Sequence, residues 1–360
     1  MADPLRTPLC DLLGINVPIV LAGMAGGPTT PELVAAVSRA GGLGTFGANG
    51  MSLDDLRAAV AVARELTDRP LAVNVLLAPP RPPSAPDEAL QTALAPVRAK
   101  LGLPQTPAPR EPPPSPLELI EAGLEAGAKV VSVGLGDPAP VRPLARAAGA
   151  PVLAMCATVD DARRAEASGA DAIVAQGAEA GGHRSNFTIP AAGPLPLVGT
   201  LALVPQVVDA VDVPVIATGG IADGRGIVAA LALGASGVQI GTRFLVAAES
   251  GANPGYRARL RSAGDADTEI ITAFSGRPAR GLRNRMLETL EAAGAPSVGW
   301  PRQAAAWADI RAEADRRGDG ERVMLWAGQA AGLATEELPA EEIVRALVDE
   351  TRAVLARLAS

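Results

Sequence analysis

The only histidine of this 360-residue chain, His183, closes a glycine-rich stretch, Gln176-Gly177-Ala178-Glu179-Ala180-Gly181-Gly182-His183-Arg184. Imidazole is the side chain whose ordinary pKa lets it take or give a proton near neutral pH. The glycines beside it remove Cβ atoms that would hold the backbone away from a flat ligand. Two plainer readings compete: a loop histidine bonded to backbone, or a metal ligand. Cys10 and Cys156 are the only cysteines and have no metal-ligand spacing, so three or four clustered zinc ligands are not in sight. Two further stretches have the residue types for chemistry, Ala217-Thr218-Gly219-Gly220-Ile221 and Gln239-Ile240-Gly241-Thr242-Arg243-Phe244. Their small residues leave backbone N–H groups uncovered, and Thr242 adds a hydroxyl. Bare amides at the start of a helix are a ready phosphate site. Lysine occurs only as Lys100 and Lys129, neither in a glycine-rich loop, which excludes a Walker-type P-loop. Lys129 precedes a strand, and the entry end of a parallel strand is the wrong end for barrel chemistry.

The elements that must position these residues alternate. Apolar runs at 17–22, 43–47, 71–77, 129–133, 152–155, 171–175, 213–217 and 236–240 read as short strands. Ala-rich helices with recognisable starts stand between them, such as Thr30 before Pro31, Ser52 and Thr158. Other helices are expected over 138–148, 198–211 and 224–233. Eight strand–helix units in sequence predict a parallel α/β fold closed as a TIM (β/α)8 barrel over residues 1–250. The first loop reads Gly23-Met24-Ala25-Gly26-Gly27, which does not match the GxGxxG of an open dinucleotide-binding sheet. Asn74 is a polar residue inside an apolar run, either a satisfied core amide or a ligand contact. Residues 79–116 are crowded with proline and predict an insertion with one helix over 87–101. From 251 to 360 the rhythm fails, with a break at 294–301. This segment predicts helices that cap the barrel mouth or join an oligomer interface.

Composition narrows the class. Hydrophobic residues make up 48% and aromatics 2%, so the core must be Ala, Val, Leu and Ile. A net charge of −7 without a basic run argues against nucleic acid. No apolar run is long enough to cross a bilayer, and Met1-Ala2-Asp3-Pro4 does not read as a signal peptide, so the expected location is the cytoplasm. A homo-oligomer is left open.

In barrels, the loops after strands seven and eight commonly bind phosphate. A phosphate there, with a flat ring across loops one, three and six, suits flavin mononucleotide (FMN). The stretches Ala22-Gly23-Met24-Ala25-Gly26-Gly27, Val73-Asn74-Val75, Gly177 through Arg184, Ala217 through Ile221 and Gln239 through Phe244 together resemble the nitronate monooxygenase family, formerly called 2-nitropropane dioxygenases. The resemblance implies FMN-dependent oxidation of alkyl nitronates or nitroalkanes by O2 to a carbonyl compound and nitrite. It also implies His183 as the base. Ala22, Gly23, Met24, Asn74, Gln176, Gly181, Gly182, Gly219, Gly220, Gln239, Ile240, Gly241 and Thr242 match positions that hold FMN. Ser185 departs from the glycine expected after His-Arg. Arg184 is either an anion clamp or an ordinary exposed arginine. The rival readings are an NAD(P)H-dependent quinone or enoyl reductase on the same scaffold, and a non-catalytic flavin-binding sensor.

Overall fold

A computed structural model describes residues 3–78, 88–107, 112–190, 194–294 and 297–360. Its strands, in chain order, are β1 (Ile19–Leu21), β2 (Gly44–Gly47), β3 (Leu71–Leu76), β4 (Val130–Gly134), β5 (Val152–Cys156), β6 (Ala172–Gln176), β7 (Gly182–His183), β8 (Val215–Thr218), β9 (Gly237–Ile240), β10 (Thr268–Ile271) and β11 (Ala279–Leu282). Eight of them pair in the order β1-β9-β8-β6-β5-β4-β3-β2, all parallel. The ring closes through β1 and β2, where Leu21 N donates to Leu43 O (2.8 Å) and Leu43 N to Ile19 O (2.9 Å). This is the expected (β/α)8 barrel. The strands are buried on both faces, which is why they read as continuous apolar runs. Six begin later than the sequence suggests, four by one residue and two by two residues, at Ile19 and Val215. Pro18 and Pro214 precede Ile19 and Val215 and have no N–H to give a ladder.

The helix starts follow local rules. The hydroxyls of Thr30, Ser52 and Thr158 accept from the N–H groups of Leu33, Asp55 and Asp161. Ser115 and Glu118 form a reciprocal capping box. The helix expected over 198–211 spans only Thr200–Val208, and that expected over 138–148 only Arg142–Ala147. For the former, the Glu179 carboxylate fixes the start by accepting from Thr200 N at 3.0 and 2.9 Å.

The C-terminal part departs from its all-helical expectation. It contains the antiparallel hairpin β10–β11, and β11 also pairs with β7, setting Ala279 opposite His183. Strands of four residues, Thr-Glu-Ile-Ile and Ala-Arg-Gly-Leu, are too short to show a period of two in the sequence. Around the hairpin stand the helices Pro254–Arg261, Arg285–Ala292 and Ala308–Arg317. The last two share a hydrophobic cluster with the proline-rich insertion. Leu90, Leu94, Val97 and Leu101, on the helix Glu88–Leu101, pack with Ile271, Phe274, Met286, Leu287, Leu290, Trp307 and Ile310. This cluster contains no barrel-strand residue. Arg98, fully buried, ties it further by donating to Asp309 (2.7 Å), Gln91 (2.9 Å) and Ala306 O (2.8 Å). The expected flanks of that helix at 79–87 and 108–111 lie outside the described residues. Insertion helix and C-terminal segment thus make one cap. The last helix, Ala340–Ala359, returns to the barrel and packs on the helices Pro31–Arg39 and Gly224–Ala232. There Glu350 Oε2 accepts from Gly224 N (2.8 Å), and Arg39 donates to Glu341 (2.5 Å). No helix among the described residues is long and apolar enough to cross a membrane.

Candidate active site

A cavity of about 700 Å³ lies between the C-terminal ends of the barrel strands and the cap. Ala22, Gly23, Met24, Asn74, Gln176, Gly181, Gly182, His183, Gly219, Gly220, Gln239, Gly241 and Thr242 all line it. One sequence-selected residue does not. Ile240 is buried in the barrel wall, and only its carbonyl is near, accepting from Ala22 N at 2.9 Å. A strand alternates its side chains, so Gln239 facing the cavity sends Ile240 the other way.

Each position has a local cause. Gly219 has φ +115°, and a Cβ there would lie 3.0 Å from Ala180 N, so only glycine lets the seventh loop fold back on the sixth. Gly23 presses against Asn74: a Cβ on it would meet Asn74 Cβ at 2.5 Å. Asn74 is buried and its amide donates to Ser132 Oγ (2.9 Å), so it is both a satisfied core amide and a cavity residue. Gln176 uses both ends of its amide on the chain, donating to His183 O and accepting from Ser185 N, each at 2.9 Å. It splints the backbone on both sides of Arg184. Thr242 accepts from Gly328 N of the cap at 3.0 Å, and its own proton stays available to a ligand.

Arg184 fits neither sequence reading. It is fully buried, and its guanidinium donates to Gly177 O (2.6 Å) and Gln176 O (3.0 Å). Burial, then the neighbouring Arg280, lowers its pKa to about 10, so it stays charged. It is a brace for the glycine-rich loop. An arginine in a glycine-rich stretch looks exposed in sequence because nothing local shows which carbonyls will claim it.

His183 stands at the centre of the wall. Its Nε2 lies 2.9 Å from Ser275 Oγ, and its ring is flanked by Trp300 (4.8 Å between centroids, edge-on) and Trp326 (5.2 Å). The surface that His183 keeps faces the cavity, while protein encloses the rest. Desolvation first, then the charge of Arg277, depresses its pKa from 6.5 to about 3. The imidazole is therefore neutral at neutral pH.

The sequence reading missed the cap's contribution. Tyr256, Trp300, Arg311, Met324 and Trp326 also line the cavity. One signal was available: all three tryptophans of a chain with 2% aromatics fall between positions 300 and 326. Such a concentration of large flat side chains marks a ligand wall or a small separate core, and here it is both. Met155, Thr218 and Ser185 also line the barrel side; Thr218 and Ser185 belong to stretches the sequence marks, whereas nothing local singles out Met155.

A closed parallel barrel with a histidine-bearing chamber at its strand ends is the architecture of a TIM-barrel enzyme. The chain belongs to the nitronate monooxygenase family, which it matches over residues 6–350. It is 36% identical over 356 residues to a probable nitronate monooxygenase of Staphylococcus saprophyticus, covering 98% of this chain and 99% of that relative. Among solved structures, it is similar to the nitroalkane oxidase of Streptomyces ansochromogenes, with a TM-score of 0.85, 37% identity and coverage of 97% and 99%. It is also similar to FabK from Thermotoga maritima, with a TM-score of 0.76, 34% identity and 98% coverage of both chains.

Proposed function

We propose that the protein binds FMN in this cavity and uses O2 to oxidise alkyl nitronates to a carbonyl compound and nitrite, with His183 as the base when the substrate arrives as a nitroalkane. The observation that carries the reading is a neutral, desolvated imidazole on the wall of a chamber of about 700 Å³ whose other walls are glycine-rich backbone. That volume lies in the range of small-molecule and cofactor sites.

The residues fit the cofactor. Gly219, Gly220 and Gly241 put bare backbone where a phosphate needs donors, and Thr242 adds a hydroxyl. Among the described residues, no carboxylate side chain lines the cavity at these two loops. Ala22, Gly23 and Met24 offer a low wall for a flat ring, with Asn74 beside them. Bound there, the flavin supplies the electron transfer and the reaction with oxygen.

The chain's own part is proton handling and exclusion of water. A nitronate is already an anion, and it enters beside a ring that carries no charge. A nitroalkane must first lose a proton from carbon. The C–H bond breaks, the proton goes to the imidazole and the electron pair stays on the nitronate. The imidazolium and nitronate then form as neighbours in a low-dielectric site, where their attraction offsets part of the unfavourable proton affinity of a base with so low a pKa. Nitronates are therefore the faster substrates at pH 7, and nitroalkanes the slower ones. Trp300 and Trp326 screen the ring from water.

The test is a visible spectrum of the purified protein followed by nitrite release in air. The expected result is a yellow protein that turns over a nitronate, with His183→Asn keeping the colour and losing nitroalkane turnover at least about a hundredfold. A colourless protein that does not take up added FMN ends the reading. Rapid flavin bleaching by NADH without oxygen, with no nitrite from nitronates, replaces it with the NAD(P)H-dependent reductase.

A further inference from the structure

The base assignment leaves one question open to geometry: which ring nitrogen of His183 carries the lone pair. Ser275 answers it. This serine lies in the turn between β10 and β11 and is fully buried. Its Oγ is 2.9 Å from His183 Nε2, 3.1 Å from the carbonyl oxygen of Arg277 and 3.4 Å from the N–H of Arg277. A hydroxyl has one proton and two lone pairs. A carbonyl can only accept, so the contact with Arg277 O draws the serine proton. Backbone N–H and imidazole then meet lone pairs, and Nε2 must be the nitrogen that carries hydrogen. Turning the serine proton toward the ring instead would give up the bond to Arg277 O inside a buried turn.

The arrangement is held on every side. β11 pairs with β7 at His183 itself, and Arg184 N donates to Pro278 O at 2.9 Å. The Arg277 guanidinium donates to Asn186 O, so the turn is tied to the segment just past the histidine. Trp300 and Trp326 stand against the ring.

We propose that Ser275 is a positioning residue that fixes neutral His183 as its Nε2–H tautomer and leaves Nδ1 as the atom that receives the substrate's proton. It rests on the reading of His183 as the base. In the step, the substrate C–H bond breaks, its proton goes to Nδ1 and its electron pair stays on the nitronate. Nε2 keeps its hydrogen on Ser275 Oγ throughout. A serine in this place orients the ring as a carboxylate would, without adding a negative charge. The element that sets the tautomer belongs to the cap, not to the barrel that carries the histidine.

The chain has one histidine, so labelling histidine ring nitrogens with 15N gives a two-line spectrum from the whole protein. Two-bond proton–nitrogen correlation on the purified full-length chain at pH 7 reads the tautomer directly. The expected result is a protonated Nε2 and a bare Nδ1. A protonated Nδ1 overturns the proposal, whatever His183 does in turnover. In Ser275→Ala the preference is expected to weaken. kcat on a nitroalkane is expected to fall about tenfold at unchanged KM, the loss of one buried hydrogen bond. Turnover of the corresponding nitronate, which needs no proton removed from carbon, stays within about twofold. Ser275→Thr, which keeps the hydroxyl, restores nitroalkane turnover. Equal losses on both substrates, or no rescue by threonine, overturn the positioning role. If the tautomer is as expected but His183→Asn leaves nitroalkane turnover intact, the base reading fails and the tautomer stands.

Discussion

The barrel and its cap are built by different means. The barrel core is almost wholly Ala, Val, Leu and Ile, and most of its strands pair with the next barrel strand along the chain. The cap core gathers Phe274 and Trp307 with leucines from the helix Glu88–Leu101, far earlier in the chain, and a buried arginine latches the two parts across a separation of 211 residues. The first uses local signals repeated many times. The second depends on a few long-range contacts, each of which matters more. The cavity lies on the seam, with backbone amides from one side and aromatic rings from the other.

The sharpest way to break this contrast is Trp307→Ala. Trp307 is fully buried and its indole N–H donates to Phe274 O at 3.0 Å. Its loss is expected to cost about 3–5 kcal/mol and to make the cap melt before the barrel, seen as a split transition in calorimetry. A single transition merely shifted downward means that the two regions do not unfold separately. Next comes Arg98→Ala, which leaves Asp309 without its partner. Asp309 is 19% exposed, so water relieves part of the penalty, and about 2–3 kcal/mol of cap stability is expected to go. Arg98→Met with Asp309→Leu recovers most of it; thermal scans of both variants decide.

The third prediction concerns pH. The folded pKa of His183, about 3, is below its unfolded value near 6.5. The unfolded chain therefore binds the proton first, and the histidine's contribution is fully present above pH 6.5 and lost as pH falls toward 3. Between pH 8 and pH 5 the loss is about 2 kcal/mol. Urea titrations of the parent protein and His183→Asn isolate it, since the other titrating groups are common to both. An identical pH slope in the two removes the desolvated imidazole from the account. The smallest effect belongs to the barrel surface. Ser52→Ala removes one helix cap, is expected to cost about 1 kcal/mol and leaves the cap transition untouched.

How much of this was legible follows the same divide. Thr30, Ser52 and Thr158 announced their helices, and Pro18 and Pro214 explain where strands begin late, because these are effects of one or two neighbouring residues. The glycines and His183 could be picked out because few residue types can do what they do. Ile240 keeps its side chain out of the cavity because the alternation of a strand, which a motif read as a string ignores, turns it into the wall. Arg184, Ser275 and the tryptophans escaped for a deeper reason. Their roles depend on which distant segment comes to meet them, and the hairpin that pairs with β7 lies about a hundred residues further on.

The last helix carries a consequence for biosynthesis. Ala340–Ala359 covers the helix that follows the first strand and the one that follows β8, joining the earliest and latest layers of the barrel. A nascent chain can thread all eight strands and still present those two helices bare until residues 340–359 have been made. During that interval the apolar faces awaiting Ile343, Val344 and Leu347 are open to chaperones or to self-association. Expression yield is thus expected to fall sharply when residues 340–359 are removed.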